Sequence, residues 1–331
     1  MGTSARRRLW YAVLVATCLF HVVRKKQGQE CAAPTILVHV VTCCRPASLE
    51  RLLTSLLRAD YGAPGNVDLN IQIDWSTRSE LTQKSFSLAK TFDWPHGSKT
   101  IHARVRTAGL ASSWFELGIQ TNRDYMLVLE DDLELSPHFY RFLELAHCKG
   151  SLNSESTTAL CLHPGDWQIR VKPFCDRGVS SNIFYETPEP CNWAPVWKTG
   201  AWLDYINWLH RALAMDVKPY VPDVNNITYN YNSYVDRGID VQSPWVWRYN
   251  WEQAKRQIRY SFTRCGVLNS ERYFAINHKE PGLHFKKKQD FDNSPSLLQF
   301  RYARVRKLID QCLYLPAKFS SKMLMPRHAL R

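Results

Sequence analysis

Short apolar, β-branched runs alternate along residues 35 to 150 with stretches whose apolar positions recur three and four apart. The run TILVHVV (35–41) reads as a strand, and TCCRP then turns the chain. In ASLERLLTSLLRADYG, Leu49, Leu52, Leu53, Leu56 and Leu57 fall on one helical face, and Gly62 can stop that helix. VDLNIQID (67–74) alternates like a strand and ends in Asp74. Strand, helix, strand makes a βαβ unit, which implies a parallel sheet with a right-handed crossover. A helix from Glu80 to Phe92, a short strand in TIHARVR and a helix over LASSWFELGIQTN lead to YMLVLEDD, an apolar run that reads as a buried strand. Ser136-Pro137 opens a further helix, HFYRFLELAHC, with proline in the first turn where its missing N–H costs nothing. The pattern predicts an α/β fold with a mostly parallel sheet flanked by helices, and no internal repeat is visible.

The second half reads differently. Residues 160 to 260 are rich in Trp, Tyr, Asn and Pro; AWLDYINWLHRALAM is an amphipathic helix and the rest reads as loops and short strands. LLQFRYARVRKLIDQC forms a basic amphipathic helix ahead of a tail from Leu315. The expected organisation is a cytoplasmic tail (1–8), a transmembrane signal-anchor (9–23), a short stem (24–34), a ligand-binding half (35–150), a second, partner-binding half (151–295) and the basic C-terminal helix and tail (296–331). The anchor rests on an uncharged stretch from Leu9 to Val23 between two basic triplets. Its length is roughly 22 Å against a hydrocarbon core of ~30 Å, a gap narrowed by thinner early-secretory membranes and by snorkelling Arg and Lys. Cleavage near CAAP is the alternative, disfavoured by the charges that directly follow the apolar run.

Charge changes the picture only once it is located. The ends, residues 1–30 and 301–331, supply 12 of the 13 net positive charges. The middle is nearly neutral and carries no basic stripe interleaved with aromatics, which argues against a nucleic-acid groove and favours a membrane surface. Ten cysteines without a CxxC pair give no support to a zinc ribbon or a thioredoxin-type site. In an oxidising lumen some of Cys148, Cys161, Cys175, Cys191 and Cys265 would pair, with connectivity that spacing does not fix. Asn226-Ile227-Thr228 is an N-glycosylation acceptor triplet, consistent with a secretory route.

Glu130, Asp131 and Asp132 stand at the end of the apolar run, where an open α/β sheet presents its ligands. Two readings fit them. Hard carboxylate oxygens suit Mg²⁺ or Mn²⁺, which commonly share their coordination with substrate phosphates. The same acids also suit the positive N-terminus of the helix after Ser136.

LVLEDDLELSPHFYRFL resembles the Glu-Asp-Asp segment of the N-acetylglucosaminyltransferase I family, and ILVHVVTCCRPASLERLLTSLL resembles the first βαβ element of GT-A-fold glycosyltransferases. The likeness is sharp over 125 to 142, fair over 35 to 75 and weak beyond. It implies a Rossmann-like GT-A domain using a UDP-sugar donor and Mn²⁺ or Mg²⁺. By that resemblance Asp132 is the direct metal ligand, with Glu130 and Asp131 holding ribose or metal-bound water. Arg45 and Asp74 contact base and ribose, and Cys43 and Cys44 line the turn, where the family has Cys-Asp-Arg; small core residues are the other reading of these cysteines. An inverting transferase needs a base for the acceptor hydroxyl. Asp204 matches the family's Trp-Asp-Asp-Trp segment, with one of its two acids kept, although a favourable first-turn charge explains it equally. Asp223, Glu189 and Asp236 compete for the role. In NHKEPGLHFKKK, His284 is the candidate third metal ligand and Lys286 to Lys288 read as a solvated charged loop. Trp193, Trp197, Trp202 and Trp208 are sugar platforms or, for most of them, core.

The resulting expectation is a single-pass type II protein of the Golgi or endoplasmic reticulum membrane, its lumenal domain moving GlcNAc or another hexose from a UDP-sugar to a glycan or glycoprotein with inversion. A catalytically inactive glycan-binding protein of the same fold is the first rival. The second is a metal-dependent phosphodiesterase or nucleotidyltransferase, for which the sequence shows no clear second-metal set and no glycine-rich first turn.

Overall fold

The computed structural model describes residues 31–62, 65–163, 183–221, 226–261, 275–277 and 313–314. Two compact units divide the chain, Met1–Ala33 and Pro34–Arg331, and every described element belongs to the second. Along the chain these are β1 (Ile36–Thr42), α1 (Pro46–Leu57), β2 (Val67–Ile73), α2 (Ser79–Thr91), β3 (Lys99–Ala103), α3 (Leu110–Phe115), β4 (Tyr125–Glu130), β5 (Leu133–Leu135), α4 (Phe139–Cys148) and β6 (Thr157–Cys161). There follow β7 (Ile183–Thr187), β8 (Pro195–Lys198), α5 (Thr199–Ala214), α6 (Asn226–Asp236), α7 (Ser243–Glu252), β9 (Arg256–Ser261), β10 (Ala275–Asn277) and β11 (Leu313–Tyr314).

Nine strands form one sheet in the order β11-β7-β9-β6-β8-β4-β1-β2-β3, and β5 pairs separately with β10. The expected βαβ unit is present: β1 runs parallel to β2 in register Ile36↔Val67 to Thr42↔Ile73, and β2 and β4 flank β1 in parallel. The first half of the sheet is wholly parallel, and parallel pairs recur further on between β6 and β9 and between β7 and β11. Beyond β4 the sheet is mixed, with β8 antiparallel to both β4 and β6 and β7 antiparallel to β9. The halves drawn at 35–150 and 151–295 share this sheet.

Layering follows from period-2 alternation on strands buried on both faces. Leu127 and Leu129 of β4 join Val38 and Val40 of β1 in a core with α1 and α4, while Met126 and Val128 join Val41 in a second core against α3, α5 and α7. Helix α1 delivers Leu49, Leu52, Leu53 and Leu56 to the first core. Burying each is worth roughly 1.5–3 kcal/mol, and that burial rather than propensity holds the helix in place. Trp197, Trp202 and Trp208 are buried in the second core, the place expected for most of the tryptophan cluster. Trp193 is partly buried and meets the His163 ring edge-on at 4.5 Å.

Helix α3 stops at Phe115, short of the expected span, because Gly118 and a polar run follow. Helices α6 and α7 replace the loops expected there; Ser243-Pro244 starts α7 with the same proline-first signature as the one read at 136–137. Among the described residues no helix is long and apolar enough to cross a membrane. The anchor at 9–23 and the basic helix over LLQFRYARVRKLIDQC lie outside the described residues.

One disulfide joins Cys161 at the end of β6 to Cys191, and Cys31 and Cys148 are each in a disulfide. Cys31 was not among the cysteines expected to pair. Cys175 and Cys265 lie outside the described residues.

Candidate active site

Parallel pairing places the C-terminal ends of β1, β2 and β4 side by side. The Asp74 N–H donates to the Thr42 carbonyl at 2.8 Å and the Asp131 N–H to the Val41 carbonyl at 3.2 Å. Strand order 3-2-1-4 reverses between β1 and β4, the position where open α/β sheets form their ligand crevice. Cys43, Arg45, Asp74, Glu130, Asp131 and Asp132 are thus brought to one edge, as the sequence predicts.

Each acid there has a different environment. Asp131 is buried; it accepts from Thr42 Oγ1 at 2.7 Å and is ion-paired to the Arg45 guanidinium. Asp132 is more open, its side chain 13% exposed against 1% for Asp131, and Arg45 Nη1 lies 3.8 Å from its Oδ2. Glu130 Oε1 accepts from Trp114 Nε1 at 3.3 Å and from Gln242 Nε2 at 3.5 Å. Burial first, and then the Asp132 charge, push the Glu130 carboxyl up to about 8, so it holds a proton at neutral pH. Burial works against the Arg45 charge, but the Asp131 and Asp132 carboxylates more than offset this and raise its pKa. Arg45 therefore spans the acidic turn as its internal counter-ion, a place the sequence did not indicate.

Asp74 holds structure. Its carboxylate accepts from the backbone N–H groups of Trp75 at 2.9 Å, Ala108 at 3.0 Å and Gly109 at 3.0 Å, pinning the loop that enters α3. Cys43 sits beside it, half-buried; burial and the neighbouring Cys44 push its thiol up to about 12, so it stays protonated.

The acid that the fold adds to this edge is Asp240, which sequence reasoning missed. Gly109 has φ +87°, and a Cβ there would stand 2.6 Å from Asp240 Oδ2, so only glycine admits this approach. Burial raises the Asp240 pKa against the opposing effect of the Ala111 N–H that it accepts. Gln242, two residues on, reaches Glu130. Asp204 is placed elsewhere. Helix α5 starts where the Thr199 N–H meets the Asp124 carbonyl, at the opposite end of β4 from Glu130, and Asp204 is exposed on its outer face a turn further along. Of its competitors, Glu189 is buried, Asp236 accepts from Tyr220 at 2.6 Å at the end of α6, and Asp223 lies outside the described residues, as do His284 and Lys286 to Lys288.

Among the described residues no three His, Cys, Asp or Glu side chains converge on a cation position. Asp131 is buried and engaged by Thr42 and Arg45, whereas Asp132, also within reach of Arg45, is the more exposed of the two aspartates. Mg²⁺-like ions retain waters and bind through one or two carboxylates plus substrate phosphates, so the residues fit a cation that arrives with a phosphate-bearing ligand.

No protein-family model and no curated protein matches the chain. Similar solved structures include the mannosyltransferase PcManGT from Pyrobaculum calidifontis in complex with GDP-Man and Mn²⁺, at 14% identity over 61% of this chain and 56% of that one, with a TM-score of 0.36. S. aureus TarS 1–349 in complex with UDP-GlcNAc is similar at 14% identity over 38% of this chain and 33% of that one, TM-score 0.27. A further S. aureus TarS structure covers 52% of this chain and 29% of that one at 13% identity, TM-score 0.31. The chain thus spans little more than half of the first of these structures and about a third or less of the TarS chains.

Proposed function

We propose that this protein is a metal-dependent glycosyltransferase that moves a sugar from a UDP-sugar, GlcNAc or another hexose, to a hydroxyl of a glycan or glycoprotein. The observation that carries the reading is the acidic turn at the reversal of strand order, in which Arg45 neutralises Asp131 internally and Asp132 remains as the more open carboxylate. The Glu-Asp-Asp resemblance points to the same residues. Asp132 would hold Mn²⁺ or Mg²⁺, which supplies Lewis-acid stabilisation of the departing nucleotide diphosphate.

The chain's own residues do the rest. Arg45 fixes the orientation of both aspartates, and Trp114 and Gln242 fix Glu130. Asp74 clamps the loop before α3 so that Gly109 presents its open face to Asp240. In this reading Asp240 takes the proton from the acceptor hydroxyl as the oxygen attacks the anomeric carbon with inversion; its raised proton affinity suits a general base. Asp204 is the alternative base. The paired cysteines accord with an oxidising, lumenal site of action and hence with a Golgi or endoplasmic reticulum type II protein anchored by residues 9–23.

The test is nucleotide diphosphate release by the purified protein from a panel of UDP- and GDP-sugars, with Mn²⁺ or with chelator. Metal-dependent release from one donor is expected, with Asp132→Asn losing at least 100-fold. Asp240→Asn should lose transfer to acceptor while donor binding persists, and Asp204→Asn should retain both. No release from any donor by folded protein would overturn the transferase reading in favour of an inactive glycan-binding protein. Incorporation of a nucleotide into product would favour the nucleotidyltransferase.

A further inference from the structure

Trp75 is the only exposed tryptophan among the described residues, at 37%, and it directly follows Asp74 at the ligand-presenting edge of the sheet. Its backbone is fixed on both sides: the N–H donates to Asp74 Oδ1 at 2.9 Å, and the carbonyl accepts from Thr107 Oγ1 at 2.9 Å. An indole whose backbone is held on both sides, yet more than a third exposed, forgoes part of the burial that placed Trp114, Trp197 and Trp202 in the cores. The ring borders a cavity of about 530 Å³ whose other walls are Ser79, Glu80, Gln83, Lys84 and Ser87. Ser79, Gln83 and Ser87 recur every fourth residue of α2 and line up as a row of hydroxyl and amide groups roughly 12 Å long. Glu80 and Lys84 are ion-paired at 2.6 Å beside them.

We infer that this cavity is a carbohydrate subsite, in which Trp75 stacks against the apolar C–H face of a pyranose ring and the row on α2 hydrogen-bonds its hydroxyls. The two sides of the cavity match the two sides of a sugar, one apolar face and one polar rim, and the row is long enough for more than a single ring. A nucleotide fits less well, because Lys84, the one cation lining the cavity, is already paired with Glu80. Its use as an acceptor subsite rests on the transferase reading. Sugar binding at Trp75 does not, since it needs neither donor nor metal.

The experiment titrates chitotriose and cellotriose into the intact protein without donor, read by calorimetry and saturation-transfer NMR, for wild type, Trp75→Ala, Trp75→Phe and Gln83→Ala. The expected result is binding of at least one trisaccharide, weakened at least tenfold by Trp75→Ala and less by Trp75→Phe, with an unchanged thermal midpoint. Retained affinity in Trp75→Ala overturns the assignment, as does absence of binding to either trisaccharide by wild type. A parallel titration with UDP and Mn²⁺ separates a nucleobase platform: loss of UDP binding with intact trisaccharide binding also overturns it. Trp75-dependent sugar binding in a protein that releases no nucleotide diphosphate would sustain this subsite while refuting the transferase.

Discussion

Replacing Glu130 with Gln tests the electrostatic account of the acidic turn most directly. The Glu130 carboxyl has a folded pKa of about 8 against an ordinary value of 4.5, because burial and Asp132 both disfavour its ion. Each pH unit between those values is worth about 1.4 kcal/mol, so ionising Glu130 within the fold costs at most about 5 kcal/mol, and about half of that once nearby water and dipoles reorganise. A raised carboxyl means that the folded state holds a proton the unfolded chain has lost. This contribution is full below pH 4.5 and is lost as pH rises towards 8. His39 acts with opposite sign: burial lowers it from 6.5 to about 4, so its stability contribution grows as pH rises through that interval and is constant above it. Between about pH 6.5 and 8 Glu130 therefore acts without His39. Gln keeps an oxygen to accept from Trp114 and Gln242 but cannot ionise. Urea unfolding of wild type and Glu130→Gln from pH 5 to 9 should show the variant gaining about 2 kcal/mol over wild type by pH 9. Curves that stay parallel within about 0.5 kcal/mol across that range would refute the burial argument.

Other expectations concern single contacts. Arg45→Ala removes the guanidinium from buried Asp131 and should destabilise the fold by about 3 kcal/mol in urea, and Lys should restore only part, since one ammonium cannot span both aspartates. Cys191→Ala opens the link to Cys161, 30 residues away in sequence, and should cost about 3–4 kcal/mol; dithiothreitol should bring wild type towards the variant in the same assay. Gly109→Ala places a Cβ against Asp240 at positive φ, and calorimetry should show a loss above about 1 kcal/mol together with, under the proposed function, reduced transfer. Trp202→Ala empties a fully buried site and should cost about 3–5 kcal/mol, a value that a partly exposed platform ring would not reach.

The sequence by itself determined what depends on neighbours along the chain. The unbroken apolar runs at 35–41 and 125–130 dictate strands buried on both faces, because successive side chains must point to opposite sides, and the two cores divide those residues accordingly. The leucine spacing of α1 and the βαβ order then fix which strand ends meet, so the convergence of Arg45, Asp74 and the acids was legible. Tertiary structure decided how those groups act on one another. Arg45 reaches Asp131 across 86 residues and Gln242 reaches Glu130 across 112, and charge state follows from these partners and from burial, neither of which a local pattern encodes. Asp204 looked functional from its neighbours yet lies on an outer helix face, whereas Asp240 and Trp75, unremarkable in sequence, lie against Gly109, Asp74 and Thr107 near the strand ends that gather the acids. A tryptophan's exposure is set by the elements packed around it, which is why Trp197 and Trp202 became core and Trp75 remained in water.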